Sequence, residues 1–267
     1  MLTESLLKKT KMDRVCIARH PQRPKGLDVL KSICSSFQEL HGDRFHGDDP
    51  AMIGGLCEIG SKKALILAQE KGSEAKARLK HNYGMMLPEG YRKALRLIKL
   101  AEKFHLPIIS IIDTPGAYPG IDAEKRGQAR AIANNLCEIS SIKTPIISLI
   151  LGEGCSGGAI GVGLSDKVLM LEHAYYSVIS PEGCAAILWN DSSKSHLAVE
   201  QLKMQSEDLL DFKMIDTIIF EGSGGFHENK ELVYSKIKEE LIASIEELET
   251  IPSYDLIENR YKKYRSF

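Results

Sequence analysis

The sequence lacks the features that would place it in several common protein classes. No apolar run reaches the ~18 residues that a membrane span needs, and the amino-terminal segment has no apolar core typical of secretory signals. Neither sign of charge dominates, since 35 Lys and Arg face 36 Asp and Glu, so no overall charge excess favours nonspecific nucleic-acid binding. These absences predict a soluble, cytoplasmic chain with no membrane span and argue against nucleic acid as its ligand.

The cysteines follow no recognisable motif. The six cysteines are scattered, and none forms a C-x-x-C pair or a Cys/His cluster at zinc-ligand spacing. We therefore expect free thiols in a reducing compartment and no metal site in this chain. The composition is otherwise that of an ordinary globular protein, with 267 residues of which 43% are hydrophobic and 27% charged. No linker divides the chain into independent domains.

The two ends of the chain differ from its middle. Residues 1–25 are polar and basic and contain Pro21 and Pro24, which predicts an extended N-terminal arm. A long charged helix is predicted over residues 229–247, and a basic tail, residues 251–267, follows it. The main domain, residues 26–250, opens with a predicted amphipathic helix over residues 26–40, because apolar residues recur there at three- and four-residue intervals.

The main domain has the pattern of an α/β protein. Apolar runs at residues 51–57 and 64–69 flank a short polar turn and predict a β-hairpin. After the hairpin, predicted strands alternate with helices, which is typical of right-handed crossover units. We predict strands over residues 107–113, 145–151, 167–171 and 215–220, and helices over residues 89–104, 124–139 and from residue 156. The first two of these strands are almost continuously apolar, as in a sheet covered on both faces.

Each of these two apolar strands leads into a glycine-rich loop that opens a helix. Residues 113–120 read Asp-Thr-Pro-Gly-Ala-Tyr-Pro-Gly, and residues 152–159 read Gly-Glu-Gly-Cys-Ser-Gly-Gly-Ala. Glycine lets a backbone approach a ligand closely, and a helix N-terminus presents unpaired amides. The second loop therefore predicts an oxyanion or phosphate site. A third segment, residues 180–183, reads Ser-Pro-Glu-Gly and is typical of a helix start.

The second glycine loop is compatible with several kinds of site when it is taken alone. It has no lysine where a phosphate-binding NTPase loop requires one. Residues 152–157 match the G-x-G-x-x-G dinucleotide pattern, but no acidic residue ends a following strand about 20 residues on. Residues 154–158 also match the G-x-S-x-G nucleophile elbow, with Ser156 as a serine-hydrolase nucleophile. The candidate triad partners are Asp166 or Asp216 with His173, His196 or His227. A purely structural alternative is that Ser156 caps the helix.

Together, the motifs closely resemble those of one enzyme family. Besides the two glycine loops, they are ARHPQRP at residues 18–24, LHGDR at 40–44, IGG at 53–55, PEGYRKALRL at 88–97, RGQ at 126–128 and SPEG at 180–183. This set is similar to that of the alpha subunits of the acetyl-CoA carboxylase carboxyltransferase of bacteria and plastids, within the crotonase-like superfamily. The resemblance covers nearly the whole chain from about residue 18, with Cys155 standing where the family commonly has glycine.

The resemblance implies a fold and a reaction. The implied fold is a crotonase-like α/β spiral of repeated ββα and βαβ units with a C-terminal helical extension. The implied reaction transfers the carboxyl group of carboxybiotin to acetyl-CoA, which forms malonyl-CoA for fatty-acid synthesis. The chain has no Ala-Met-Lys-Met biotinylation site, so biotin is expected on a separate biotin carboxyl carrier protein, and zinc is expected on a beta subunit.

The resemblance also implies partners and site residues. We expect an α2β2 assembly with the beta subunit, inactive as the alpha chain alone, that works with the carrier protein and biotin carboxylase on acetyl-CoA and malonyl-CoA. The implied catalytic groups are the backbone N–H groups of Gly157 and Gly158, which form an oxyanion hole for the ureido oxygen of biotin. The candidate substrate-binding residues are Gly116, Ala117, Tyr118, Arg126, Gln128, Gly154, Ser180 and Gly183.

Three other functions stay open at the level of sequence. A crotonase-like enzyme such as an enoyl-CoA hydratase would act without biotin. A serine hydrolase would use Ser156 as its nucleophile. A non-catalytic partner protein would only bind, with the basic residues 260–265 as a candidate nucleic-acid surface.

Overall fold

The computed structural model describes residues 9–222 and 224–267. Its strands are β1 (Ser36–Glu39), β2 (Met52–Ile59), β3 (Lys62–Gln69), β4 (Ile108–Thr114), β5 (Ile146–Cys155), β6 (Lys167–Leu171), β7 (Tyr175–Ser177) and β8 (Thr217–Ile219). Its α-helices are α1 (Lys11–Ala18), α2 (Gly26–Ile33), α3 (Ala75–Lys80), α4 (Pro88–Lys103), α5 (Ile121–Lys125), α6 (Gln128–Ile139), α7 (Ser156–Gly163), α8 (Pro181–Trp189), α9 (Ser195–Leu202), α10 (Ser206–Asp211), α11 (Lys230–Glu249) and α12 (Ser253–Arg265). None of these helices combines the length and the apolar character needed to cross a membrane.

A single mixed sheet lies at the centre of the described chain. Its strand order is β1-β2-β3-β4-β5-β6-β8, and β7 pairs with the end of β5. The predicted hairpin is confirmed, since β2 and β3 pair antiparallel in a register that runs from Met52 opposite Gln69 to Ile59 opposite Lys62. From β3 onwards the neighbouring strands are parallel, and helices connect them. The alternation of strands and helices predicted from the sequence is therefore confirmed.

The core is built around β4 and β5. Every residue of these two strands is buried, which confirms the prediction from their continuous apolar runs. Helix α4 packs against β2, β3 and α6, and α7 packs against β4 and α6. Helix α11 packs against α2, β5 and β8, and confirms the long helix predicted for this part of the chain. The sheet thus holds the carboxyl ends of β4 and β5, where the two glycine loops begin, in a rigid setting.

Two predicted helices differ from the observed elements. The helix predicted over residues 26–40 is wrong in its second half, because α2 ends at Ile33 and residues Ser36–Glu39 form strand β1 instead. Pairing with the open edge of β2, in which Ser36 lies opposite Glu58, satisfies backbone groups that a longer helix would leave at the sheet edge. The helix predicted over residues 124–139 is split into α5 and α6, because Gly127 adopts a left-handed backbone conformation with a φ of 86°.

Both ends of the described chain pack against the main domain. The extended arm predicted for residues 1–25 is wrong for Lys11–Ala18, where Thr10 and Asp13 form a capping box that starts α1. Residues 1–8 of that arm lie outside the described residues. The basic tail is also more than a solvated segment. Arg260 of α12 is 2% exposed, pairs with Asp166 at 2.8 Å and donates to backbone carbonyls, so this cation holds the tail in place. The boundaries proposed at residues 25 and 250 stay predictions.

Candidate active site

The two glycine loops touch each other at Gly158. A Cβ atom placed on Gly158 would lie 2.4 Å from the carbonyl carbon of Gly116 and 2.8 Å from the amide nitrogen of Ala117. Such distances are too short for any side chain, so glycine at position 158 allows the first turn of α7 to lie directly against the backbone of the β4 loop. Sequence motifs that are about 40 residues apart are in this way joined into one site.

Gln69, at the end of β3, ties both loops together. Its side chain is completely buried, and its Nε2 donates to the carbonyl of Gly158 at 2.7 Å. Its Oε1 accepts a hydrogen bond from the amide of Asp113 at 3.0 Å, at the start of the other loop. No sequence motif pointed to Gln69. The available signal was a polar side chain that ends the otherwise apolar run of residues 64–69.

A cavity of about 600 Å³ lies between the loops. Its lining includes the predicted residues Gly116, Ala117, Tyr118, Gln128, Gly157 and Ser180, together with Ser156. The amides of Gly157 and Gly158 lie in the first turn of α7. They have no hydrogen-bond acceptor within their own helix, and they lie at the positive end of its dipole. The arrangement suits a ligand on which negative charge develops next to these amides.

Some of the predicted residues form hydrogen bonds with one another. Gln128 donates from Nε2 to the carbonyls of Met86 and Tyr118, at 2.7 and 3.1 Å, and so holds the Tyr118 loop against the start of α6. Gly183 donates its amide to the Ser180 hydroxyl at 3.1 Å, which caps α8. Four of the predicted residues thus meet in two local interactions that shape the cavity.

Gly154 and Arg126 lie outside the lining of this cavity. Gly154 is buried in β5, where a Cβ atom would lie 3.0 Å from the ring of Tyr176. Arg126 pairs with Glu89, Nε to Oε1 at 2.8 Å, and lines a different cavity beside Phe45. Their assignment to substrate binding stays a prediction.

A chain of ion pairs, largely buried at Lys71 and partly exposed at Arg19, fixes the ends of β4 and β5. The Nζ of Lys71 lies 2.7 Å from the carboxylate of Asp113 and 2.6 Å from that of Glu153. Arg19, from the segment that follows α1, pairs with Glu153 at 2.8 Å and with Glu182 at 2.7 Å. The Asp113 carboxylate also accepts the amide of Glu153 at 2.9 Å. The network therefore links the N-terminal segment, both glycine loops and the start of α8.

The electrostatics of this network keep Glu153 ionised. Burial raises the pKa of Glu153, but the charges of Lys71 and Arg19 and the hydrogen bonds that it accepts outweigh burial and bring the pKa to about 2. The hydroxyl of Tyr175 donates to the same carboxylate. Burial, followed by the charge of Glu153, raises the pKa of Tyr175. Glu153 is therefore a fixed anion at neutral pH and a poor proton acceptor.

The nucleophile elbow is present in its local backbone but has no triad. Ser156 is exposed and has a left-handed backbone with a φ of 53°, which is strained for a residue with a side chain. Among the described residues, no histidine lines either of the two cavities at Ser156. Four of the five candidate partners have other contacts: Asp166 binds Arg260, Asp216 binds Lys263, His173 packs near Glu221 and His227 stacks on His20. The fifth, His196, lines neither cavity. The described residues therefore give no support to a serine hydrolase.

Comparison with known proteins places these motifs in a family. Residues 2–267 match the family model described as acetyl co-enzyme A carboxylase carboxyltransferase-like. The chain is 54% identical over 256 residues to the acetyl-coenzyme A carboxylase carboxyl transferase subunit alpha of Protochlamydia amoebophila, covering 96% of this chain and 81% of that protein. It is 51% identical over 257 residues to the subunit of the same name from Chlamydia pneumoniae, with coverages of 96% and 79%.

Solved structures show the same fold at low sequence identity. A transcarboxylase 12S structure has a TM-score of 0.69 and 16% identity, and the match covers 87% of this chain and 44% of that one. A Pseudomonas malonate decarboxylase hetero-tetramer has a TM-score of 0.68 and 13% identity, with coverages of 88% and 91%. These likenesses confirm the predicted crotonase-like α/β fold class. Among the described residues, no group of three or more His, Cys, Asp or Glu side chains is arranged to hold a metal ion. On its family match and its close relatives, the chain belongs to the acetyl-CoA carboxylase carboxyltransferase alpha-subunit family.

Proposed function

We propose that this chain, as the alpha subunit of an acetyl-CoA carboxylase, transfers the carboxyl group of carboxybiotin to the methyl carbon of acetyl-CoA and so forms malonyl-CoA for fatty-acid synthesis. The observation that carries the proposal is the loop contact at Gly158, which sets the first turn of α7, with Gly157 in the lining, at the wall of the 600 Å³ cavity. The relatives from Protochlamydia and Chlamydia, which are named for this activity, support it.

The residues around the cavity fit a biotin ring. The cavity volume of about 600 Å³ lies within the ~300–1,000 Å³ of sites that enclose small ligands. Ala117, Ile132 and Val178 give it apolar walls, and Gly157 lies in its lining. The amides of Gly157 and of Gly158, the next residue of α7, would hold the ureido oxygen. When it is bound, carboxybiotin supplies the carboxyl group for transfer.

The chain's own contribution is electrostatic. The two amides and the positive end of the α7 dipole stabilise negative charge that develops on the ureido oxygen while the carboxyl group leaves. Removing one such donor typically costs ~3 to 4 kcal/mol in the transition state. Because Gln69 and the Lys71 network hold both loops in place, the donors need little reorganisation during the reaction.

The side chains near the loops act as supports in this mechanism. Glu153 is held ionised by Lys71 and Arg19, so it positions the loop and does not take a proton at neutral pH. Tyr118 lines the cavity, and Gln128 holds its backbone carbonyl. The described lining offers no histidine as a general base, so the methyl proton of acetyl-CoA would pass to N1 of the biotin that has lost its carboxyl group, and this chain supplies oxyanion donors.

The exposed surface next to the cavity favours a partner subunit. Ile160, Val178, Phe212 and Met214 line a neighbouring apolar cavity of about 360 Å³, and their exposed fractions are 41%, 81%, 55% and 36%. Adjoining apolar side chains that remain exposed mark interaction surfaces. We assign this surface to a zinc-containing beta subunit in an α2β2 assembly, which would supply the oxyanion hole for the enolate of acetyl-CoA. A biotin carboxyl carrier protein, charged by biotin carboxylase in the cytoplasm, would deliver the carboxyl group.

The test is carboxyl transfer in the reverse direction, from malonyl-CoA to free biotin. The chain is assayed alone, with the beta subunit of the same organism, and without biotin. We expect turnover only when the chain, the beta subunit and biotin are all present.

A surface variant separates assembly from chemistry. Phe212→Asp places a charge on the proposed interface at a residue outside the biotin cavity, and Phe104→Asp places one on another exposed apolar residue, which is 60% exposed. We expect the first variant to lose the beta subunit and the activity together, and the second to keep both. Turnover by the chain alone, or turnover that needs no biotin, contradicts the proposed function.

A further inference from the structure

A second, smaller cavity lies beside the ion-pair network. Its volume is about 190 Å³, and four of its lining side chains are cationic: Arg19, Lys25, Lys71 and Arg78. The only anionic side chain in its described lining is Glu153. An excess of positive charge around a cavity attracts an anion.

Two of the four cations have their charge neutralised within the chain. Lys71 pairs with Asp113 and Glu153, and Arg19 pairs with Glu153 and Glu182. Neither Lys25 nor Arg78 forms an ion pair within the described part of the chain, 9–222 and 224–267. The cavity therefore contains two cations, Lys25 and Arg78, that no carboxylate of the described residues contacts at ion-pair distance.

Lys25 is the more unusual of the two. It is only 6% exposed, and among the described residues its Nζ has one hydrogen-bond partner, the carbonyl of His20 at 3.5 Å. Burial lowers the pKa of Lys25, the nearby cations lower it further, and only Asp113 acts against them. A buried ammonium group without a carboxylate partner costs several kcal/mol, so such groups are rare unless a ligand balances their charge.

We propose that this cavity binds a phosphoryl group, and that Lys25 and Arg78 are the cations that neutralise it. A phosphate monoester carries a charge of about −1.5 to −2 at pH 7 and three acceptor oxygens, so a single phosphoryl group can accept hydrogen bonds from both cations. Arginine also offers a planar fork that binds two phosphate oxygens at once.

The size and position of the cavity limit what the ligand is. At about 190 Å³, the cavity is smaller than the ~300–1,000 Å³ of sites that enclose whole cofactors, so it takes a single phosphoryl group. Tyr83, which also lines it, is 46% exposed, so the cavity has a solvent-facing side. Pro115 lines both this cavity and the active-site cavity. The phosphoryl group therefore comes either from free phosphate or from an ester whose remainder lies outside, such as coenzyme A.

The test is calorimetric titration of the full chain with inorganic phosphate at constant ionic strength. It is independent of the proposed function, because binding is measured without turnover. We compare Lys25→Met and Arg78→Gln with the control Lys80→Gln, which makes the same charge change on an exposed position of α3. We expect saturable binding that weakens at least about tenfold in the first two variants, the loss typical of one charge-assisted hydrogen bond, and stays unchanged in the control.

Unfolding temperatures distinguish a loss of phosphate binding from a loss of the folded state. Since Lys25 is buried without a carboxylate partner, we expect Lys25→Met to raise the unfolding temperature without phosphate and to abolish the further rise that phosphate gives the wild type. Arg78→Gln, at a partly exposed position, must also abolish that rise. Absence of saturable phosphate binding, or an equal loss in Lys80→Gln, overturns the proposal.

Coenzyme A and pantetheine separate the two sources of phosphate. If coenzyme A is the source, it binds more tightly than inorganic phosphate, Arg78→Gln weakens it, and pantetheine, which has no phosphoryl group, is unaffected by the variant. If free phosphate is the source, coenzyme A binds no more tightly than phosphate does. Pantetheine binding that depends on Arg78 contradicts a phosphoryl site.

Discussion

Replacing Gly158 with alanine tests whether the contact between the loops builds the active site. The added Cβ would lie 2.4 Å from the carbonyl carbon of Gly116, about 1 Å inside ordinary contact distance. Both partners are backbone, so the loops must separate by about that amount. A shift of ~1 Å in a catalytic group costs on the order of 100-fold in rate, or about 2.7 kcal/mol. The extra methyl group also destabilises the fold by about 1–3 kcal/mol.

The matched control is Gly157→Ala in the same turn of α7. A Cβ at position 157 meets only Cδ1 of Ile132, at 3.3 Å, and this atom is the flexible end of a side chain. Carboxyl transfer from malonyl-CoA to biotin is measured for both variants with the beta subunit. We expect kcat of Gly158→Ala to fall about 100-fold and that of Gly157→Ala to stay within about threefold of wild type. Wild-type kcat in Gly158→Ala, with the folded state intact, refutes the reasoning.

Three further predictions concern the surroundings of the loops. Gln69→Leu leaves the buried Asp113 amide without this acceptor and removes the side-chain donor to the Gly158 carbonyl, so urea unfolding should show a loss of about 1–3 kcal/mol, whereas an unchanged free energy of unfolding contradicts the tether. Ser156→Ala should keep carboxyl transfer within about threefold of wild type, since this account gives the hydroxyl no role; complete loss would revive the hydrolase hypothesis. Burial, opposed in part by the charge of Glu221, lowers the pKa of His173 to about 4. Above pH 6.5 the imidazole is neutral in the folded and the unfolded chain, but between pH 6.5 and pH 4 only the unfolded chain binds the proton readily, so the free energy of unfolding falls as the pH falls. Urea unfolding at pH 7 and pH 4 should therefore show the wild type losing about 3 kcal/mol more than His173→Asn, and equal losses contradict this.

The sequence was most informative where a strand is buried on both faces or a turn is short. The apolar runs of β4 and β5 and the hairpin of β2 and β3 were predicted because local pattern and tertiary environment agree. Strand β1 was missed because Phe37 and Leu40 continue the helical spacing of α2, while pairing with β2 decides their conformation. The helix α1 carried a readable signal, the capping box from Thr10 to Asp13.

The candidate site was predicted in its loops but not in its supports. Glycine motifs locate Gly116, Gly157 and Gly158, and at Gly158 the physical reason is the close approach of the Gly116 backbone, which leaves no room for a Cβ atom. The partners of Gln69 and Glu153 come from strands and segments far away in the chain, and no local pattern specifies them. The burial of Arg260 was missed for the same reason, since its partner Asp166 lies 94 residues before it.

An amide-to-ester replacement at residue 158 tests the role of the Gly158 amide most directly. It exchanges the backbone N–H for an oxygen and keeps the shape of glycine. The variant is assembled with the beta subunit, and kcat and KM for biotin carboxylation from malonyl-CoA are measured. If the Gly158 amide is an oxyanion donor, we expect kcat to fall about 10²- to 10³-fold. The unfolding temperature should stay close to that of the wild type. A kcat equal to that of the wild type would contradict the claim that the Gly158 amide stabilises the developing charge.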